Sequence, residues 1–280
     1  MKKVIVLIAS LALTVGAFAQ TKNANDLNPE SGNGNGNSHN QATNRAGGSG
    51  NLVNHGGGVM AYAKVVCIFW GSSLSSGSSY VTEVRSFRSS ASGMVSHTGM
   101  LNQYGAYQSN FVGSQADVFD SSYPSSAAVT DAMVQSEVAK YFSGRYDTNA
   151  VYEVFIPSGY YSQDGSSTSC GGPSLAYCAY HSSGDGVHLP TNVKYSIEPY
   201  PSCSGCAASG FNTNQNAEHF MVHETRETVT DPYGTTWYDA AGYEADDKCA
   251  WTGLFLQNAA DGHTYGYQPE YSNSARNCVQ

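Results

Sequence analysis

An export leader followed by seven cysteines sets the tightest limit on how this chain can fold. Lys2 and Lys3 precede an apolar run from Val4 to Val15, and Ala17-Phe18-Ala19 closes it with small residues before Gln20. These are the three regions of a secretory signal peptide, and the run is short for a membrane span. Residues 1–19 are therefore expected to be removed after Ala19, giving a secreted or periplasmic protein with no membrane attachment. All seven cysteines lie in the exported part, where an oxidising compartment lets thiols pair. Cys67, within Val65-Val66-Cys67-Ile68-Phe69-Trp70, reads as a buried strand residue and is expected to stay unpaired. Cys170, Cys178, Cys203, Cys206, Cys249 and Cys278 remain. The favoured pairing is Cys170 with Cys178, Cys203 with Cys206, and Cys249 with Cys278. Reading Cys203-Ser204-Gly205-Cys206 as a redox or zinc motif lacks a second CxxC and a thioredoxin-like context.

Charge narrows the partners. The sequence has 13 Lys and Arg against 22 Asp and Glu, and loss of Lys2 and Lys3 leaves 11 against 22, a net charge of -11. Nucleic acid and anionic membrane surfaces are thereby disfavoured. Residues 20–58 are rich in Asn, Gly and Ser and offer few apolar side chains, which predicts a disordered spacer or pro-segment. One domain is expected over 59–280. Apolar patterning and breakers predict strands at 60–70, 151–156, 192–199 and 263–269. Helices are expected at 79–90, from the Thr130 or Asp131 cap to Gly144, and at 214–230 before Asp231-Pro232. The Gly, Ser and Cys segment 158–190 is expected to be a long functional loop with a stapled tip.

The third helix carries His223-Glu224-Thr225-Arg226-Glu227, an HExxE pattern. Residues four apart share a helix face, so His223 and Glu227 can grip one ion while Glu224 acts as general base on a bound water. Glu244 lies 17 residues after Glu227 and Asp247 lies 20 after it, in an acidic turn ending at Cys249. Glu244 is expected to be the third ligand and Asp247 an acceptor orienting the His223 ring, with Asp247 as the alternative ligand. Asp231, one step of four further along, and His219, one step back, are further candidates. Zinc is the first choice, and the oxygen-rich donor set of two carboxylates with one imidazole also suits manganese or calcium, of which calcium would imply a structural role.

Other chemistries are thinner. His181 in the long loop and Tyr238 are candidates to steady an oxyanion. The sequence contains no GxSxG elbow and no phosphate-binding Gly-Lys-Ser or Gly-Lys-Thr loop. Its 20 tyrosines offer flat, polar-tipped faces that could bind sugar or peptide.

Taken in order, VVCIFWG (65–71), CGGPSLAYCAYH (170–181), YSIEPYPSCSGC (195–206), HETRETVTDP (223–232), Trp237-Tyr238-Asp239 and EADDKCAW (244–251) resemble the EXORDIUM or phosphate-induced protein family, especially its bacterial secreted members. The similarity runs over about 52–280, with Val222 and Thr225 departing from the usual Ser-His-Glu-Leu. The resemblance implies an extracellular domain with a zincin-like metal helix. The expectation is an α+β, zincin-like single domain, with a mixed sheet packed on helices and stapled by disulfides. It would act as a metal-dependent hydrolase on peptide or protein. The alternative is a non-enzymatic protein that binds cell-wall glycan or a protein partner.

Overall fold

A computed structural model describes residues 50–113 and 115–280, so the expected leader and most of the spacer lie outside the described residues. The fold is a mixed α+β arrangement. Its strands, in chain order, are β1 (Val53–Asn54), β2 (Lys64–Trp70), β3 (Val118–Asp120), β4 (Ala128–Thr130), β5 (Ala150–Ile156), β6 (Tyr161–Asp164), β7 (Ser167–Thr168), β8 (Tyr180–Ser183), β9 (Lys194–Pro199), β10 (Trp237–Tyr238), β11 (Phe255–Asn258), β12 (Thr264–Tyr267), β13 (Glu270–Ser272) and β14 (Asn277–Val279). The helices are α1 (Ser79–Ser89), α2 (Asp131–Phe142) and α3 (Thr213–Thr230).

The main sheet has the order β3-β2-β5-β9-β8, with β8 antiparallel to β9 at one edge and the rest parallel. Strands β5 and β9 are buried along their whole length, as a sheet covered on both faces requires. The pleat divides the core by alternate residues. Val65, Cys67, Phe69, Val151 and Phe155 pack with Val81, Val84 and Phe87 of α1 and with Met221 and Val222 of α3. Val66, Ile68, Tyr152, Val154, Tyr195 and Ile197 face the other way, onto Val134, Val138 and Phe142 of α2. Smaller ribbons surround this body: β4 and β7 flank β6, and β1–β10, β11–β12 and β13–β14 are antiparallel pairs.

Helix starts follow local chemistry. Thr130 caps α2, and Asn212 and Gln215 form a reciprocal capping box at α3. Helix α3 ends at Asp231, whose carboxylate accepts from the amides of Thr235 at 2.6 Å and Thr236 at 2.8 Å, just before Pro232. Asp231 thus acts as a helix stop.

Three expectations change. The segment 158–190 is not bare loop: it contains β6, β7 and β8, and His181 sits on an edge strand. Residues 52–54, expected in the spacer, join the body, with Leu52 buried and Val53 paired to Tyr238. The bridges are Cys170–Cys203, Cys178–Cys206 and Cys249–Cys278, so only the last matches the favoured pairing. Two of the bridges tie the approach to β8 to the Cys203–Cys206 turn, which brings together elements that local spacing does not link. Cys67 is buried and unbridged. Non-reducing peptide mapping should recover Cys170 linked to Cys203 and Cys178 linked to Cys206; a looped Cys203–Cys206 peptide would contradict this fold.

Glu218 of α3 is fully buried, accepts from the Gly266 amide at 2.8 Å, and is pushed by burial from 4.5 up to about 8. A folded-state pKa above the unfolded one means that the folded protein binds the proton more tightly. The contribution is therefore full below the unfolded pKa and is lost as pH rises through about 8. Glu218→Gln keeps an acceptor for Gly266. It should raise Tm at pH 9 by about 2–4 °C while leaving Tm at pH 4 unchanged; an equal shift at both pH values would refute the assignment.

Candidate metal centre

Helix α3 is unusual in being buried on nearly every face while carrying His223, Glu224, Arg226 and Glu227, each 2% exposed or less. Charged residues are rarely fully buried unless paired or metal-bound. The sheet beneath the helix supplies a row of aligned residues, Cys67, Glu153, Ser196 and His181, from β2, β5, β9 and β8. Strand alternation sends Tyr180 to the α2 side, where its hydroxyl donates to Asp131 at 2.8 Å, and leaves His181 on the α3 side.

His181 meets the helix there. Its Nδ1 lies 3.1 Å from Glu224 Oε2 and 3.8 Å from Glu227 Oε2, and its Nε2 lies 3.6 Å from Glu244 Oε2. From the helix itself, His223 Nε2 lies 3.3 Å from Glu227 Oε2 and 3.7 Å from Asp247 Oδ1. The Asp247 amide donates to Glu227 Oε1 at 2.8 Å, and the Cys249–Cys278 bridge holds the Asp247–Cys249 turn that delivers it. Two overlapping groups could hold an ion: His181, Glu227 and Glu244, and His223, Glu224 and Glu227. In each, the donor atoms all lie within 4.8 Å of one another. Asp247 Oδ1 is buried and has no hydrogen-bond partner among the described residues. This donor set of imidazoles and carboxylates fits a divalent zinc or manganese ion.

The electrostatics reflect crowding of acids. Burial, then the neighbouring Asp247 carboxylate, push Glu227 above the usual carboxylate range against the pull of His223. Burial also raises Asp247, again opposed by His223. For His181, burial disfavours the imidazolium, but Glu224, followed by Glu227 and Asp231, outweighs it and holds the pKa above the ordinary histidine value. Beneath the helix, Glu153 bonds Thr225, and burial raises both Glu153 and Glu198.

The sequence-predicted residues His223, Glu224, Glu227, Glu244 and Asp247 come together, and His181 joins them as a closer partner than an oxyanion role implies. Asp247 faces His223 Nε2, which leaves the Nδ1 side of the ring to another residue. That position belongs to Gln268, whose Nε2 lies 3.0 Å from His223 Nδ1 and donates to the Asp246 carbonyl at 2.8 Å. An ion on Nε2 requires Nδ1–H to donate instead to the Gln268 oxygen. Gln268 lies 45 positions beyond His223 and carries no motif that would mark it. His219 packs against Phe211, Phe220 and Trp251, away from both donor groups. Tyr238 stacks on His55 at 3.7 Å on the β1–β10 ribbon and, among the described residues, makes no hydrogen bond to the cluster.

Compared with known proteins, the chain has no match among family models, curated proteins or solved structures.

Arg226 anchors the far side of the helix. Its guanidinium bonds Asp246 and the Gln268 carbonyl, the latter at 3.0 Å, and its Nε lies 3.7 Å from Glu270 Oε2. Arg226→Met leaves two buried carboxylates without their cation, at a cost of about 3–5 kcal/mol and a fall in Tm of roughly 10 °C at pH 7. An unchanged melting curve would show that the network carries no stability.

Proposed function

We propose that this protein is an exported metal-dependent peptidase with a zincin-like, EXORDIUM-like domain. The observation that carries the reading is the convergence of His223, Glu224 and Glu227 from one buried helix with His181, Glu244 and Asp247 from two other elements. The three bridges fit an oxidising compartment, and no helix among the described residues is long and apolar enough to cross a membrane.

His181, His223, Glu227, Glu244 and Asp247 would hold the ion, and bound zinc or manganese would polarise a scissile carbonyl and acidify water. Glu224 would take the proton from that water, with its Oε2 fixed by His181 Nδ1 at 3.1 Å. Strand β8 lies at the sheet edge beside this cluster, and an extended peptide could pair with its backbone. The carboxylate-rich donor set gives a weaker Lewis acid than neutral histidines alone.

One feature favours the alternative, a wall-glycan binding protein with a structural calcium or other ion. A cavity of about 560 Å³ is lined by Tyr62, Tyr233, Asn149 and Asn192, and Tyr62 is 67% exposed. Tyrosine faces with neutral amides suit sugar rings. Glu224→Gln separates the two readings. With folding and metal content unchanged, peptide hydrolysis should fall at least ~100-fold, the scale of a lost general base. Hydrolysis at the wild-type rate would refute the assignment, and retention on wall material lost in Tyr62→Ala but kept in Glu224→Gln would favour the alternative.

A further inference from the structure

Two imidazoles, His181 and His223, flank Glu227 in the metal centre that the peptidase reading requires. We infer that the cluster holds two divalent ions bridged by Glu227, one on His181 with Glu244 and one on His223 with Asp247. The inference rests on that reading and goes beyond the single ion that an HExxE helix implies.

Four observations support it. The two donor groups overlap only at Glu227, and its Oε2 faces both imidazoles, 3.8 Å from His181 Nδ1 and 3.3 Å from His223 Nε2. Neighbouring donors are 3.3–3.7 Å apart on both sides, close to the ~3.4 Å edge of a tetrahedron with metal bonds of ~2.1 Å. Asp247 is 3% exposed, and its Oδ1, which has no hydrogen bond among the described residues, lies 3.7 Å from His223 Nε2.

Charge is the fourth. Glu224, Glu227, Glu244 and Asp247 bring four carboxyl groups into a largely buried space, and the Arg and Lys side chains of the same elements are engaged elsewhere: Arg226 with Asp246 and Glu270, Lys248 with Asp239 at 2.6 Å. A second divalent ion would offset more of this buried carboxylate charge than one ion can. His181 then has Glu224 as the acceptor on its other nitrogen, the usual way that a ligating histidine is oriented. Although Glu224 falls within the His223 donor group, its bond to His181 Nδ1 would hold it as the base, with Asp247 serving as the His223-side ligand.

The test is metal content of the purified chain, stripped and reloaded with zinc or manganese alone, by mass spectrometry. Two equivalents are expected for wild type, one each for His181→Ala and His223→Ala. Wild type saturating at one equivalent overturns the two-ion inference and leaves the peptidase reading standing; no bound metal overturns both. Should the variants fail to fold, electron paramagnetic resonance of the manganese-loaded wild type decides: a spin-coupled pair is expected, and an isolated six-line spectrum overturns it.

Discussion

Burying an ionised side chain costs several kcal/mol unless a counter-charge is built beside it, and α3 buries six ionisable residues at 2% exposure or less: Glu218, His219, His223, Glu224, Arg226 and Glu227. Much of the structure around the helix answers that demand. Arg226 is neutralised by Asp246 and Glu270, each delivered by a separate segment beyond the helix. His181 comes from the opposite side to meet Glu224 and Glu227. Glu153 beneath the helix is bonded by Thr225, the residue between the two charged helix faces. The helix could not be packed by apolar contacts alone, because its sheet-facing and ribbon-facing sides both carry charge.

The three bridges act on the same problem. A cluster of acids repels itself, so the segments carrying it need fixing by something other than mutual attraction. Cys249–Cys278 joins the Asp247–Cys249 turn to β14, while Cys178–Cys206 lies three residues before His181 and anchors the start of β8. The protein's low charge content, 12% Asp, Glu, Lys and Arg, makes this concentration of acids at one place the more telling. Under the proposed metal-dependent function, these gathered carboxylates would share a cation.

What could be read in the sequence follows from how local the determining interaction is. Helix α3 was legible because its cap at Asn212, its stop at Asp231-Pro232 and the four-residue spacing of His223 and Glu227 are all set within one segment. Strands β2, β5 and β9 were legible from apolar patterning, although β5 and β9 also carry Glu153, Glu198 and Lys194, which pattern alone would not bury. His181 was visible only as a loop histidine. Its place in the cluster depends on the antiparallel register with Ser196 and on two disulfides spanning 33 and 28 residues, information that lies in pairing across the chain. Gln268 was invisible because a neutral amide in a strand-end turn has no spacing signature.

The same distinction explains why the alternative disulfide pairing looked attractive. Cys203 and Cys206 are neighbours in sequence, and closing so short a loop removes little entropy from the unfolded chain. Linking each instead to Cys170 and Cys178 closes longer loops and ties the Ser204–Cys206 turn to the strand bearing His181. The longer pairing constrains the unfolded chain more and holds the edge strand at the distance at which His181 reaches two carboxylates of α3. Stability and site geometry thus favour the same connectivity, and it is one that the spacing of the cysteines could not reveal.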